Sequence, residues 1–368
     1  MPTRTRLSSP NKSPADGLRL GRSAGLPVEI SPEALRGGIL VLSTDGEVRR
    51  RLAVGMVRAL ARRWPLWVVT DRFHYRCLAD ELLVVRRARL KLNVLRPPPG
   101  ADPLSWRASI WETFSDIFEL PSEDAARGAE LLEDVVADVG PEKATLVEVA
   151  KRAASRLGDA RFHPLVGKLA LAMQHLAPVL NDPYGLDIYR LRGRGVVFEV
   201  DGLPLRHQAF LTAALVYGET MGEPRGDLGR LMWFDEGALL WRRRWPEPMR
   251  SRWRAALGAL DKAGAGVSLV TEASSTLEPA VLEALGTKMA LGKQSLYEEE
   301  GVHSLLGADS RRFALLEDDQ LLLAQAETSA PPLSVVIEAS LLPDLAPTPN
   351  DEALDELSGP ELRGLGLF

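Results

Sequence analysis

The sequence predicts a three-layer α/β fold, a mainly parallel central sheet sandwiched by helices, and three observations carry that expectation. Five short apolar runs lack polar alternation, as strands buried on both faces require. Helix-patterned stretches separate most of these runs, the alternation that builds a parallel sheet. One long interval, about residues 100–185, is helical throughout and reads as an insertion on the α/β core.

Taken in order, residues 1–24 are rich in Ser, Pro and Arg and read as a flexible arm. The first run, Gly38-Ile39-Leu40-Val41-Leu42, leads into a helix over 47–63, and the second is Leu66-Trp67-Val68-Val69-Thr70. The insertion follows, with helix breaks expected at Pro141, Pro164, Pro178 and Pro183. Its Trp106, Ile110, Trp111, Phe114 and Phe118 recur largely at three- and four-residue spacings and form a core-facing stripe. The third run, 196–200, precedes a helix over 208–221. The fourth, Leu231-Met232-Trp233-Phe234, precedes a helix over 248–262, and Val267-Ser268-Leu269-Val270 is the fifth. The core therefore runs over 25–343. An acidic C-terminal tail over 344–368, with Asp351, Glu352, Asp355, Glu356 and Glu361, has room for one short helix.

Composition sets the outer bounds. The 368 residues carry 45 Lys+Arg against 50 Asp+Glu, a net charge of −5, with 45% hydrophobic and 26% charged residues. That is an ordinary soluble chain long enough for a sizeable core, and its sign excludes a generally basic nucleic-acid coat. Any DNA contact must come from a local patch. A single cysteine, Cys77, excludes an intrachain disulfide and a thiolate zinc cluster. The five histidines show no metal-ligand spacing and read as surface or packing residues. No apolar run approaches the roughly 20 residues of a membrane span, and residues 1–22 lack a secretory signal's apolar stretch, so the cytoplasm is expected.

The strongest local motif is Leu231-Met232-Trp233-Phe234-Asp235-Glu236, an apolar strand ending in two acids at the sheet's carboxyl edge. In a P-loop ATPase the Asp organises Mg²⁺ and the Glu polarises the attacking water, which makes Asp235 and Glu236 the catalytic candidates and Asp235 the metal candidate. The phosphate loop belongs after the first strand, where Ser43-Thr44-Asp45-Gly46-Glu47-Val48-Arg49-Arg50 precedes a helix. Set against GxxxxGK[ST], Ser43 stands for the first Gly, Val48 for the second, Arg49 for Lys and Arg50 for Ser/Thr. A β-branched Val48 is costly where that loop needs φ > 0. The fork of Arg49 does not replace a compact ammonium, and Arg50 has no hydroxyl for Mg²⁺.

The order of segments resembles the HerA/FtsK branch of RecA-like P-loop ATPases, which includes the HerA translocases and type IV secretion motors. Leu18-Arg19-Leu20-Gly21 and Pro27-Val28-Glu29-Ile30 resemble its lead-in, and Leu92-Asn93-Val94-Leu95-Arg96-Pro97 its segment before the insertion. Residues 197–203 resemble its extra strand, Phe234-Asp235-Glu236 its Walker B end, and 264–270 its following strand. Residues 286–291, 321–323 and 331–337 resemble its closing strands, so the likeness spans about residues 18–340. The family's sensor Gln falls on Glu272 or Ser274, and its phosphate loop is lost at Ser43, Val48, Arg49 and Arg50. The resemblance thus implies ATP and Mg²⁺ as the family's cofactors, on a chain whose loop departs from holding them. It also implies ring formation, DNA as substrate, and an intact ATPase or nuclease as partner. The expectation is a degenerate, hydrolysis-deficient subunit of a DNA-translocating or DNA-processing complex. One alternative is an active ATPase with Arg49 in place of the lysine.

A second feature stands outside that scheme. Residues 241–254 hold three tryptophans and six arginines: Arg242, Arg243, Arg244, Arg250, Arg252 and Arg254. The composition suits phosphate contacts with base stacking, a subunit interface anchored by Arg and Trp, or a plain solvated helix face. A non-enzymatic binding module using this segment is the other alternative.

Overall fold

The apolar runs that the sequence marks as strands lie side by side at the centre of one sheet. The structure, a computed structural model, describes residues 17–220, 228–235, 240–292, 305–306, 316–326 and 331–365. Its strands are β1 (Leu18–Ser23), β2 (Leu26–Ile30), β3 (Ile39–Leu42), β4 (Leu66–Thr70), β5 (Leu83–Val85), β6 (Val196–Glu199), β7 (Arg230–Asp235), β8 (Ala265–Thr271), β9 (Thr287–Leu291), β10 (Gln320–Gln325) and β11 (Leu333–Ile337). They pair in the order β2-β1-β11-β10-β9-β3-β8-β7-β4-β6-β5. From β9 to β5 the pairing is parallel, and from β2 to β9 it is antiparallel.

Both faces of the parallel part are covered, for the reason the runs lack alternation. Leu40, Leu42, Trp67, Val69, Phe198, Met232 and Phe234 point into one core. Their neighbours Ile39, Val41, Leu66, Val68, Val197, Leu231 and Trp233 point into the other. Period-two geometry sends successive apolar residues to opposite faces, so every position must be apolar.

Helix α1 (Pro32–Arg36) leads into β3, and α2 (Gly46–Ala61) leaves it. The insertion is α3 (Pro103–Ile117), α4 (Ser122–Val139), α5 (Leu146–Ser155) and α6 (His163–Leu180). Pro141 and Pro183 lie in the connections and Pro164 sits in the first turn of α6, but Pro178 lies inside α6. The break expected there does not occur. The stripe of Trp106, Ile110, Trp111, Phe114 and Phe118 is buried. Helices α7 (Leu205–Thr220), α8 (Glu247–Lys262) and the short α9 (Pro279–Ala284) complete the core.

Three elements depart from the expectation at the chain's two ends and at the sheet's edge. The flexible arm expected over 1–24 gives way at Leu18, because β1 pairs with β2 and β11; residues 1–16 lie outside the described residues. The edge strand β5, only three residues long, had no counterpart among the expected runs. The acidic stretch over 344–368 holds α10 (Asp351–Gly364), whose Leu354 and Leu362 are buried in the two cores. The chain reaches it from β11 through a turn, Ala339–Leu341, that presses on α2. A Cβ at Gly55 of α2 would lie 2.3 Å from the Leu341 carbonyl oxygen, so only glycine fits that crossing.

Candidate functional site

In an open parallel sheet the loops at the carboxyl ends of the strands form the ligand-binding edge. Here that edge gathers Ser43 after β3, Thr271 ending β8, Asp235 ending β7 and Thr70 ending β4. β8 separates β3 from β7, which puts the two candidate motifs roughly 10 Å apart at about 4.8 Å per strand.

The connection after β3 is short. Only Ser43, Thr44 and Asp45 intervene before α2 begins at Gly46, so Gly46, Glu47, Val48, Arg49 and Arg50 are already helical. Val48 is buried against the core from a helical backbone, and the left-handed strain expected for it does not arise. Ser43 is fully buried; its N–H donates to the Thr271 carbonyl at 3.3 Å, and its Oγ accepts the Asp45 N–H at 3.2 Å. Asp45 is the N-cap: its Oδ1 accepts the Glu47 N–H at 2.8 Å and the Val48 N–H at 3.1 Å. Those are helix-start donors that a phosphate at this position would need, and a carboxylate already holds them.

Arg49 turns back rather than outward. It is buried, its Nη1 donates to the Ser43 carbonyl at 2.5 Å, and its Nη2 lies 3.9 Å from the exposed Glu272 carboxylate. Arg50 is exposed and its Nε donates to the Gly46 carbonyl at 3.0 Å. Of the two residues matching the family's sensor position, Glu272 is this ion-pair partner and Ser274 is buried in a short turn. A three-residue connection, a self-supplied carboxylate and a lysine position spent on a backbone carbonyl do not fit a cradled triphosphate.

Asp235 is buried, 4% exposed, and Glu236 lies outside the described residues. Asp235 Oδ2 sits 3.0 Å from His74 Nε2 and accepts from Thr70 Oγ1 at 3.4 Å. Asp71 completes the group: burial, and in lesser degree the Asp235 charge, raise its carboxyl above the ordinary range, opposed by Arg72 and Arg242. The sequence reading missed His74 and Asp71. The available signal was Asp71-Arg72-Phe73-His74 directly after the apolar run of β4, where side chains land on the ligand-binding edge. Among the described residues no cluster of three or more His, Cys, Asp or Glu is placed to hold a metal.

The 241–254 segment turns its tryptophans inward. Trp241, Trp245 and Trp253 are buried, and Trp241 Nε1 donates to the Trp253 carbonyl at 3.0 Å, so these rings are not available for base stacking. Arg250 pairs with Glu247, Arg252 with Glu112 and Asp116, and Arg254 with Glu247 and Glu278. Arg242 forms an antiparallel bridge with Leu277. Arg243 and Arg244 are the exposed pair that survives from the expected patch.

Neither a protein-family model nor a curated protein sequence matches the chain. Solved structures do. VirB4 of Thermoanaerobacter pseudethanolicus superposes with a TM-score of 0.66 over 90% of this chain and 98% of that one, at 14% identity. The plasmid coupling protein TrwB in complex with ADP and Mg²⁺ superposes at 0.61 over 92% of each chain, also at 14% identity. Among the described residues no helix is long and apolar enough to cross a membrane. The sheet order, the edge on which Ser43 and Asp235 meet, and these superpositions make this a chain with the RecA-like P-loop NTPase fold of the VirB4 and TrwB type.

Proposed function

We propose that this chain is an ATPase-fold subunit of a DNA-translocating or DNA-processing assembly, and that it does not itself turn over ATP. The observation that carries the reading is the Asp45 carboxylate on the Glu47 and Val48 N–H groups, which puts a fixed negative charge where a phosphate would sit. Arg49, whose guanidinium donates to the Ser43 carbonyl, supports the same reading. Asp235 keeps its family position, but with His74 and Thr70 around it the residue acts as part of the sheet edge. TrwB binds ADP and Mg²⁺; this chain, on our reading, keeps that fold for its surfaces. It works in the cytoplasm as an oligomer with an intact ATPase or nuclease, and Arg243 and Arg244 contact DNA phosphates or a neighbouring subunit.

Thermal unfolding with Mg-ATP tests the nucleotide part. No shift in Tm is expected, whereas a saturable rise that Asp235→Asn removes would favour an active, unconventional ATPase with Arg49 as its phosphate cation. Oligonucleotide binding that weakens with salt and is lost in Arg243→Ala/Arg244→Ala supports the DNA part. Unchanged binding in that variant assigns the pair to a subunit contact.

A further inference from the structure

We infer that α10 is a removable acidic cover over an arginine surface built to take a nucleic-acid backbone. The inference rests on the DNA-directed reading above but not on its nucleotide part.

The placement of α10 follows from its ion pairs. Asp351, at its start, meets Arg76 after β4 and Arg86 after β5, both at the carboxyl edge of the sheet. Glu361, near its end, pairs with Arg194, just ahead of β6 at the amino edge. The helix therefore runs antiparallel along β5 and shields that edge strand.

The charges are matched in rows. Arg76 Nη1 lies 2.9 Å from Asp351 Oδ1, and Arg86 Nη1 lies 2.7 Å from Asp351 Oδ2. One turn on, Asp355 takes Arg86 and, at 3.0 Å, Arg89. Asp351 and Asp355 are thus about 6 Å apart along the axis, a row of negative charge facing guanidinium forks. Such forks bind phosphate in two-point fashion as readily as carboxylate. Arg76 also holds buried Glu199 through both carboxylate oxygens, at 2.6 and 2.7 Å, so it keeps an acidic partner whether or not α10 is docked. Arg86 and Arg89 lose Asp351 and Asp355 when α10 leaves.

Four residues of α10 are buried, Leu354, Ser358, Gly359 and Leu362, and Leu357 and Leu365 pack beside them. Leu354 and Leu362 are its buried apolar anchors, and Asp351 remains largely exposed beside the arginines it neutralises. Residues 342–350 contain Pro343, Pro347 and Pro349 and form neither helix nor strand. Arg51 of α2 donates to the Leu342 and Pro343 carbonyls, and beyond that anchor residues 344–350, extended, reach about 23 Å, enough for α10 to leave. The exposed surface would then present Arg86, Arg89 and half-buried Arg87 on the same edge as Asp235. A phosphodiester backbone replaces each lost carboxylate with a phosphate.

The experiment compares the full chain with Asp351→Asn/Asp355→Asn, which keeps Leu354, Leu362 and the Asn350 N-cap. Binding of a fluorescent 30-nucleotide DNA is followed by anisotropy at about 50 mM salt. The double variant is expected to bind at least about tenfold tighter, with a salt slope steeper by about 1.4, roughly 0.7 for each phosphate gained on a single strand. Adding Arg86→Ala/Arg89→Ala should return both to the starting values. In the unaltered chain, DNA should speed hydrogen exchange of the α10 amides. If the double variant melts early, Asp355→Asn alone is expected to give about a threefold gain. Unchanged affinity in folded variants, or a gain that survives loss of Arg86 and Arg89, overturns the inference. DNA binding that needs Arg243 and Arg244 yet ignores the α10 charges overturns it while leaving the functional reading intact. A polyglutamate peptide that binds the double variant as tightly as the oligonucleotide also overturns it, in favour of an acidic protein partner.

Discussion

His74 Nε2 lies 3.0 Å from Asp235 Oδ2, and both side chains are buried at the carboxyl edge of the sheet. An apolar strand, β7, delivers Asp235 to that edge, and the turn after β4 delivers the histidine. The pair sets a motif acid against a polar group of its own chain. Among the described residues His74→Ala leaves the Asp235 carboxylate the long contact to Thr70, and it is expected to cost about 1–3 kcal/mol, the usual penalty when a buried polar group loses a close polar neighbour. Urea unfolding measures it, and a change below about 0.5 kcal/mol would show that the contact carries little.

Asp45 makes a separate prediction. Asp45→Ala removes a carboxylate cap with two backbone partners, so stability should fall by about 1 kcal/mol. If that carboxylate sits where an anion belongs, millimolar phosphate or sulfate should raise the Tm of the variant more than that of the parent. Equal shifts would mean that the helix start offers no anion site.

His207 lies between the Phe118 ring at 5.1 Å and the His175 ring at 5.0 Å, where α7 meets the insertion. Burial lowers its imidazole below the ordinary range, and His175 adds to that. The folded chain therefore holds this proton less readily than the unfolded chain. The sign follows: the contribution is complete above about pH 6.5, the unfolded value, and is lost as pH falls through the lower folded value. Tm should drop between pH 7.5 and 5, and His207→Phe should flatten that slope. An equal slope in the variant would assign the effect elsewhere.

Gly55 is tested by a single methyl group. In an open helix Gly→Ala stabilises by about 1 kcal/mol, but here the Cβ meets the Leu341 carbonyl. Gly55→Ala should therefore destabilise by about 1–3 kcal/mol, the range for overpacking. Chemical denaturation reads the sign directly, and a gain in stability would show that the C-terminal crossing yields easily.

Much of the fold is written in local composition. Leu40-Val41-Leu42 and Met232-Trp233-Phe234 lack polar residues because both sheet faces are covered, and a run of that kind is legible without coordinates. β5 was not, since three residues carry too little pattern to distinguish a strand from a buried turn. At the site, Asp235 was legible because it ends an apolar run, while His74 was not, because its role depends on β4 lying beside β7. The basic look of 241–254 misled, since charge composition does not reveal that Arg250, Arg252 and Arg254 face acids or that the Trp241 indole is buried with its N–H on the Trp253 carbonyl.

The sequence by itself determined the layered α/β architecture and the helical insertion, because each depends on neighbours along the chain. Tertiary structure decided which carboxylates meet which cations. Asp45 caps its own helix within three residues, but Asp351 reaches Arg76 across 275 positions, and only the folded sheet brings those two together. Such pairings depend on strand order and edge, which local sequence pattern does not encode.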